Sequence, residues 1–235
     1  MQKNKNAVMF ALDVATKNEA LKFIDILKDE VGFFKVGLQL FIGYGQDIIK
    51  HIKKRTNAGV FLDLKLHDIP ATVERAMAQI ADFGVDYATV HCTADNRMME
   101  AAVRGAGQAT KVLGVTVLTS VSSQDLLEAG LVSDLAMDMP ALVLKRARMA
   151  QDMGAAGVVC SGQEVAVIKE ALGWHFTTVV PGIRPLWSVK DDQVRVTTPK
   201  AAVDAGADYL VVGRPVREAL DPVIAVRKIV TEIES

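Results

Sequence analysis

The chain has 235 residues, half of them apolar, and its 27 basic residues nearly balance its 28 acidic ones, giving a formal net charge of −1. This length and apolar content allow a large aliphatic core and exclude a disordered chain. The charges form no block of one sign, which excludes the basic stripe expected of a nucleic-acid-binding protein.

The N-terminus and the cysteines indicate a cytoplasmic protein. The apolar run at residues 7–12 follows Lys3 and Lys5 but is interrupted by Asp13, so it is shorter than the apolar region of a signal peptide. No other apolar run approaches the length of a membrane span. Cys92 and Cys160 have no CxxC partner and no metal-ligand spacing with the histidines, so we expect reduced buried thiols and no metal site.

Strand-like apolar runs alternate with amphipathic runs along the whole chain. The predicted strands cover residues 8–14, 33–38, 60–66, 86–91, 111–118, 157–160, 176–180 and 209–212. The predicted helices cover residues 18–30, 45–55, 72–83, 96–105, 140–153, 163–172, 198–205 and 222–233. Because the strands are apolar nearly throughout, we expect them to be buried on both faces, as in a parallel sheet.

Eight βα units favour a single (β/α)8 barrel, or TIM barrel, that spans residues 1–235 as one domain. Three helices are expected to end at glycine shortly before a strand, at Gly84, Gly154 and Gly206. The alternative is a doubly wound open sheet, which normally has fewer strands and a glycine-rich first turn. The wider spacing at residues 119–139 predicts an extra loop or short helix over the barrel mouth.

The third predicted strand carries an unusual set of charges. Side chains two residues apart point the same way on a strand, so Phe61, Asp63 and Lys65 are expected to share one face. Burying such charges costs several kcal/mol unless they are paired. This indicates a reaction site, with a structural ion pair on an edge strand as the alternative. Pro70 is expected in the first turn of the next helix.

Polar residues also end the other predicted strands, although the strand interiors are aliphatic. In chain order these residues are Asp13, Lys35, Asp63, Lys65, His91, Thr119, Ser161, Arg184, Gly213 and Arg214. In a (β/α)8 barrel the C-terminal ends of the strands form the active site, so this polarity indicates an enzyme.

The loops after strands seven and eight predict a phosphate site. Gly213 allows an anion to approach the main-chain amides, and Arg214 provides a bidentate donor. Arg184 has the same expected role, with a pairing to Asp191 or Asp192 as the alternative. Residues 185–197 are expected to form a lid over the phosphate.

Residues 63–70, Asp-Leu-Lys-Leu-His-Asp-Ile-Pro, resemble the signature of the orotidine 5′-monophosphate decarboxylase family. Further matching blocks follow in the family's order at residues 11–13, 34–37, 118–120, 181–184, 192–193 and 211–214. The D-x-K-x-x-D element alone is shared with a wider group of barrel enzymes. Together with Lys35 and the Gly213-Arg214 pair it is specific to this family.

The resemblance implies cofactor-free decarboxylation of orotidine 5′-monophosphate to UMP and CO2 in de novo pyrimidine biosynthesis. The implied catalytic residues are Lys35, Asp63, Lys65 and Asp68, with Lys65 stabilising the C6 carbanion and donating its proton. A homodimer is implied as well, in which Asp68, Ile69 and Thr72 reach the partner's site. The remaining implied substrate contacts are Asp13 and Lys35 at the ribose, Thr119 near the pyrimidine, and Arg184, Gln193, Gly213 and Arg214 at the phosphate.

Three other functions compete with this interpretation. A metal-dependent sugar-phosphate decarboxylase or aldolase of the same barrel group needs a carboxylate near the end of strand two, where this chain has Lys35. A non-catalytic phosphoribosyl-binding module would have little reason to keep Lys65 opposite Asp63. A structural interaction protein has only the expected dimer contact in its favour. His67 is expected to be a loop or interface residue, and His91 either a core residue or part of the site lining.

Overall fold

The computed structural model describes residues 5–93, 95–188 and 196–235. Eight parallel strands form a closed barrel in which each strand pairs with the next along the chain, and the last pairs with the first. The strands are β1 Val8–Ala11, β2 Phe33–Gly37, β3 Gly59–Leu66, β4 Tyr87–His91, β5 Lys111–Val115, β6 Gly157–Val159, β7 Thr177–Val180 and β8 Tyr209–Val212. The predicted (β/α)8 barrel is therefore confirmed, and the open sheet is excluded.

Helices follow the strands around the outside of this barrel. Within the described ranges they are α1 Lys17–Leu27, α2 Leu38–Tyr44, α3 Gln46–Arg55, α4 Pro70–Asp82, α5 Asn96–Ala106, α6 Ser123–Glu128, α7 Ser133–Met137, α8 Met139–Asp152, α9 Val165–Leu172, α10 Pro199–Asp204, α11 Arg214–Arg217 and α12 Pro222–Glu234. None of these helices is both long enough and apolar enough to cross a membrane.

Alternation along the strands divides the core into two layers. One large cluster of buried side chains lies between the strands and the helices. A smaller cluster fills the inside of the barrel and consists of Met9, Ala11, Phe61, Tyr87, Leu113, Val179 and Val211. Lys35 and Asp63 are each two residues beyond a member of this inner layer, Phe33 on β2 and Phe61 on β3, so they are on the same face of their strands. They lie nearer the C-terminal ends of those strands. The barrel interior thus changes from apolar to charged toward its C-terminal mouth.

The predicted turn chemistry is confirmed at the helix ends. Gly84, Gly154 and Gly206 have φ angles of 69°, 84° and 103°, a conformation that glycine adopts at little cost. Pro70 is in the first turn of α4, as expected. The widened interval between β5 and β6 contains two short helices, α6 and α7.

Candidate active site

A cavity of about 540 Å³ opens at the C-terminal ends of the strands. Eight of the ten residues that end the predicted strands contribute to its lining: Asp13, Lys35, Asp63, Lys65, Thr119, Arg184, Gly213 and Arg214. Ser161 does not line it, although it ends a predicted strand. Its side chain is buried, and its main-chain N–H donates to the Glu164 carboxylate at 2.9 Å.

The strand that carries Asp63 and Lys65 is irregular where its charges lie. The pairing of β3 with β4 shifts register between Leu62 and Leu66. Within this interval Lys65 has a φ of 53°, and it is the one non-glycine residue with positive φ in the part of the chain that the structure describes. A left-handed residue of this kind costs on the order of 1 kcal/mol or more and persists only where its surroundings fix it. The main chain of β3 is thus irregular at Lys65, yet Phe61, Asp63 and Lys65 all line the cavity, as expected for side chains on one face of the strand.

Asp63 lies between two lysine ammonium groups. The Lys65 Nζ atom is 2.9 and 2.8 Å from the two carboxylate oxygens of Asp63, and the Lys35 Nζ atom is 3.2 Å from Oδ2. Lys35 also lies 3.4 Å from Oδ1 of Asp13. The side chains of Asp63 and Lys35 are 8% and 13% exposed, whereas Lys65 is 28% exposed on the cavity side. The result is a row of alternating charges in which Lys65 is accessible to an occupant of the cavity.

These contacts decide the charge states of the row. Burial alone raises the pKa of the Asp63 carboxyl, but Lys35 and Lys65 together bring that pKa below its usual value. Burial alone lowers the pKa of Lys35, but Asp63 and Asp13 together bring that pKa above its usual value. Asp63 is therefore an anion and Lys35 a cation at neutral pH.

A buried threonine that the sequence did not single out completes this cluster. The Thr89 hydroxyl, on β4, donates to Oδ1 of Asp63 at 3.1 Å and accepts from the main-chain N–H of Lys65 at 2.9 Å. Thr89 is only 1% exposed. Its single side chain therefore contacts both charged residues of β3.

Three arginines gather at the side of the cavity formed after β7 and β8. Arg184 and Arg214 were expected there, whereas Arg217 was not. The Arg217 guanidinium donates to the main-chain oxygen of Asp13 at 2.6 Å and to the Glu218 carboxylate at 2.8 Å, which ties the end of β8 to the end of β1. An added Cβ at Gly213 would be in ordinary contact with its neighbours, 3.6 Å from the Ala11 side chain and 3.8 Å from the Asp13 carboxylate. Packing within the chain thus does not require glycine at this position.

The residues expected to reach a partner subunit lie apart from the charge row of their own chain. Asp68, Ile69 and Thr72 are exposed, and the Asp68 carboxylate accepts the main-chain N–H of Ile69 at 2.6 Å. Across the described ranges, Asp68 makes no ion pair with Lys65. Gln193 lies outside the described residues, as do Asp191 and Asp192, the alternative partners of Arg184.

The two histidines near the row contact each other. The His67 and His91 rings meet edge to face with centroids 5.6 Å apart, and His67 is exposed as expected. Burial lowers the pKa of His91, and the nearby His67 and Lys65 lower it further. His91 is therefore neutral at neutral pH, and it does not line the cavity.

A closed parallel barrel with a charged cavity at its C-terminal mouth defines a (β/α)8 barrel enzyme. The model of the orotidine 5′-phosphate decarboxylase / HUMPS family matches residues 6–229, and the chain belongs to this family.

Similar proteins cover nearly the whole chain. An orotidine 5′-phosphate decarboxylase of Desulfosudis oleivorans is 49% identical over 98% of this chain and 94% of its own length. One of Anaeromyxobacter sp. (strain K) is 46% identical over 97% of this chain and 98% of its own. The crystal structure of orotidine 5′-phosphate decarboxylase from Lactobacillus acidophilus has a TM-score of 0.83 and 37% identity, with 97% of this chain and 99% of that chain covered.

Proposed function

We propose that this chain is an orotidine 5′-monophosphate decarboxylase that converts its substrate to UMP and CO2 without a cofactor. The observation that carries this proposal is the Asp63 carboxylate held between the Lys35 and Lys65 ammonium groups in the wall of the cavity. The names of the relatives described above support it, since they share this activity at up to 49% identity over nearly the full chain.

The reaction needs a fixed positive charge at C6 of the pyrimidine. When the bond between C6 and the carboxylate breaks, CO2 leaves and the electron pair stays on C6 in the plane of the ring, where the π system cannot delocalise it. The Lys65 ammonium faces this pair and then donates a proton to C6, which leaves a neutral amine that solvent protonates again. Asp63 fixes the position of the Lys65 ammonium through both carboxylate oxygens.

Lys65 alone cannot provide the whole rate enhancement. A unit charge about 4 Å away at an effective dielectric near 20 contributes roughly 4 kcal/mol. Further stabilisation comes from binding energy at the distant parts of the substrate, used to hold the reacting carbon against Lys65. Asp63 would also lie near the substrate carboxylate and disfavour it before CO2 leaves.

The other side of the cavity fits the ribose and the phosphate. In this proposal Asp13 and Lys35 bind the ribose hydroxyls, and Thr119 lies near the pyrimidine. Arg184, Gln193, Gly213 and Arg214 bind the phosphate. The position of Gly213 supports this assignment, because it lines the cavity and a Cβ added there would not clash with the chain.

The active unit is proposed to be a cytoplasmic homodimer of single-domain barrels. In this arrangement Asp68, Ile69 and Thr72 enter the site of the other subunit and extend the alternating charges past Lys65. Their exposure supports the arrangement, and Ile69, an apolar residue, is 66% exposed.

The direct test is the loss of orotidine 5′-monophosphate absorbance, run with and without EDTA. The parent protein should turn over the substrate equally in both, whereas activity lost in EDTA would favour the metal-dependent alternative. Lys65→Ala should lower kcat by at least about 10³-fold, because it removes both the charge and the proton donor. UMP should still bind to it, since the phosphate contacts remain.

Lys50→Ala provides the matched control. Lys50 is on α3, its side chain is 65% exposed, and it pairs with the exposed Asp47 on the surface. This variant should keep the parent kcat. An inactive parent protein, or Lys65→Ala activity within tenfold of the parent, would contradict the proposed function.

A further inference from the structure

We propose that Thr89 is a positioning residue of this active site, whose hydroxyl holds the Asp63 carboxylate and the Lys65 main chain in the geometry that aims the Lys65 ammonium at the cavity. The inference rests on the proposed function for its catalytic consequence, but its structural part stands on three contacts within the chain. Two of them join Thr89 on β4 to Asp63 and Lys65 on β3, and the third joins Lys65 to Asp63.

The direction of each hydrogen bond follows from chemistry. The main-chain N–H of Lys65 can only donate, so the Thr89 oxygen accepts it, at 2.9 Å. The single hydroxyl hydrogen of Thr89 is then available for Oδ1 of Asp63, which is 3.1 Å away and can only accept as a carboxylate. With the 2.9 Å contact from Lys65 Nζ to the same oxygen, the three residues form a closed ring of hydrogen bonds.

The position of Thr89 coincides with the irregularity in β3. The register of β3 against β4 shifts between Leu62 and Leu66, so the ladder is interrupted where Lys65 lies. A threonine hydroxyl from β4 satisfies the Lys65 N–H at this point. Lys65 is held at a φ of 53°, which is an unfavourable conformation for a non-glycine residue. A contact that fixes its main chain therefore also fixes the direction in which its side chain leaves the strand.

The effect on the reaction is one of orientation. Thr89 is 1% exposed and does not line the cavity, so it acts through Asp63 and Lys65 and not on the substrate. Without its hydroxyl, Asp63 loses one of its hydrogen-bond donors and the Lys65 main chain is free to relax. A displacement of about 1 Å at a reacting group can cost on the order of 10²-fold in rate.

Thr110 provides a matched control on the same barrel. It is also buried, at 4% exposure, and its hydroxyl also crosses to a neighbouring segment, donating to the main-chain oxygen of Val85 at 2.8 Å. Thr110 does not line the cavity. Replacing either threonine by valine removes one buried hydroxyl and keeps the branched shape, so the two variants share their general cost to stability.

The experiment compares Thr89→Val, Thr89→Ser and Thr110→Val by steady-state kinetics and UMP binding. Thr89→Val should lower kcat by about 10- to 100-fold and leave the Kd for UMP within about threefold, because the phosphate and ribose contacts are untouched. Thr89→Ser keeps the hydroxyl and should stay within about fivefold of the parent kcat, and Thr110→Val should match the parent. If Thr89→Val does not fold, Thr89→Ala must show the same separation of kcat from binding.

Amide hydrogen exchange at Lys65 provides a readout that does not need activity. The Lys65 N–H should exchange faster in Thr89→Val than in the parent or in Thr110→Val, because it has lost its acceptor. Unchanged exchange, or a Thr89→Val kcat equal to that of Thr110→Val, would overturn the inference. An inactive parent with fast Lys65 exchange in Thr89→Val would instead count against the proposed function and leave the ring of hydrogen bonds supported.

Discussion

Asp63 is the residue on which the charge state of the site depends. Its carboxylate faces two ammonium groups at 2.8 and 3.2 Å and is itself nearly buried. Because its pKa lies below the usual value in the folded chain, the folded state favours the ionised carboxylate more than the unfolded state does. Removing this charge would leave two partly buried cations facing each other without a counter-ion.

Asp63→Asn should therefore destabilise the protein at neutral pH by about 3 kcal/mol or more. The contribution of the ionised carboxylate is present above the unfolded pKa of about 3.9 and is lost as the pH falls below it. The stability difference between the parent and Asp63→Asn should consequently be constant from neutral pH down to about 4 and then shrink. Urea unfolding at a series of pH values measures this difference.

Asp204→Asn is the control for this experiment. Asp204 pairs with Lys200 one helical turn away, and both side chains are largely exposed. Its loss should cost no more than about 1 kcal/mol. An Asp63→Asn protein as stable as Asp204→Asn, or a difference that persists unchanged below pH 4, would contradict the electrostatic role assigned to Asp63.

Burial of a charge does not by itself mark an active site in this protein. Lys169 is 1% exposed and its ammonium contacts Asp208 at 2.6 Å and the Phe176 carbonyl at 2.8 Å, yet neither charged residue lines the cavity. Asp63 and Lys65 differ because the cavity lies beside them.

The grouping of Asp63 and Lys65 with Lys35 could be predicted from the sequence, because all three residues lie near the C-terminal ends of predicted strands. Thr89 could not be predicted, since its role depends on the register of β4 against the irregular part of β3.

At the scale of elements, helices α4 and α5 pack unusually closely. A Cβ added at Gly105, on α5, would lie 2.2 Å from the main-chain oxygen of Glu74 on α4. The main chain of one helix thus contacts the other where glycine leaves room. Helix α4 begins at Pro70, directly after Asp68 and Ile69, so this packing also fixes the direction in which those two residues leave the barrel.

Gly105→Ala should destabilise the protein by about 1–3 kcal/mol, because the added methyl group meets main-chain atoms that cannot rotate away. Gly43, on α2, is the matched helical glycine: outside its own helix, no atom of the described residues lies within 4 Å of an added Cβ. Gly43→Ala should be neutral or stabilising by up to about 1 kcal/mol, since alanine favours helix. Thermal unfolding of both variants tests the packing, and equal effects would show that the α4–α5 contact does not restrict residue 105.

The bounds of a strand could be predicted from the sequence where its apolar run ends at the same residue as its pairing. The predicted first and fifth strands extend beyond β1 and β5, because the apolar sequence continues past the last pairing. Val117 and Leu118, which follow β5, line the cavity instead of continuing the strand. Helix α2 was not predicted: Leu38 and Ile42 are exposed, so its sequence has little of the amphipathic pattern that marks a packed helix.

At the scale of the whole molecule, the proposed homodimer determines which subunit provides Asp68 to a given site. In the proposed homodimer each site combines Lys65 of one subunit with Asp68 of the partner subunit. Variants of the two residues on different chains should then complement each other. A heterodimer of a Lys65→Ala chain and an Asp68→Asn chain contains one site with both native residues and one site with neither.

That heterodimer, isolated with a different tag on each chain, should have about half the parent activity per dimer, although each variant homodimer is nearly inactive. The control places both substitutions on one chain and pairs it with a parent chain. Each of its sites then lacks either Lys65 or Asp68, so it should be nearly inactive. If Asp68 acted in the site of its own chain, the first heterodimer would be nearly inactive and the control would have about half the parent activity. An active Asp68→Asn homodimer would show that Asp68 is not part of the catalytic array. The comparison holds the composition of the dimer constant and changes only the distribution of the substitutions, so the difference in activity reports which subunit completes the site.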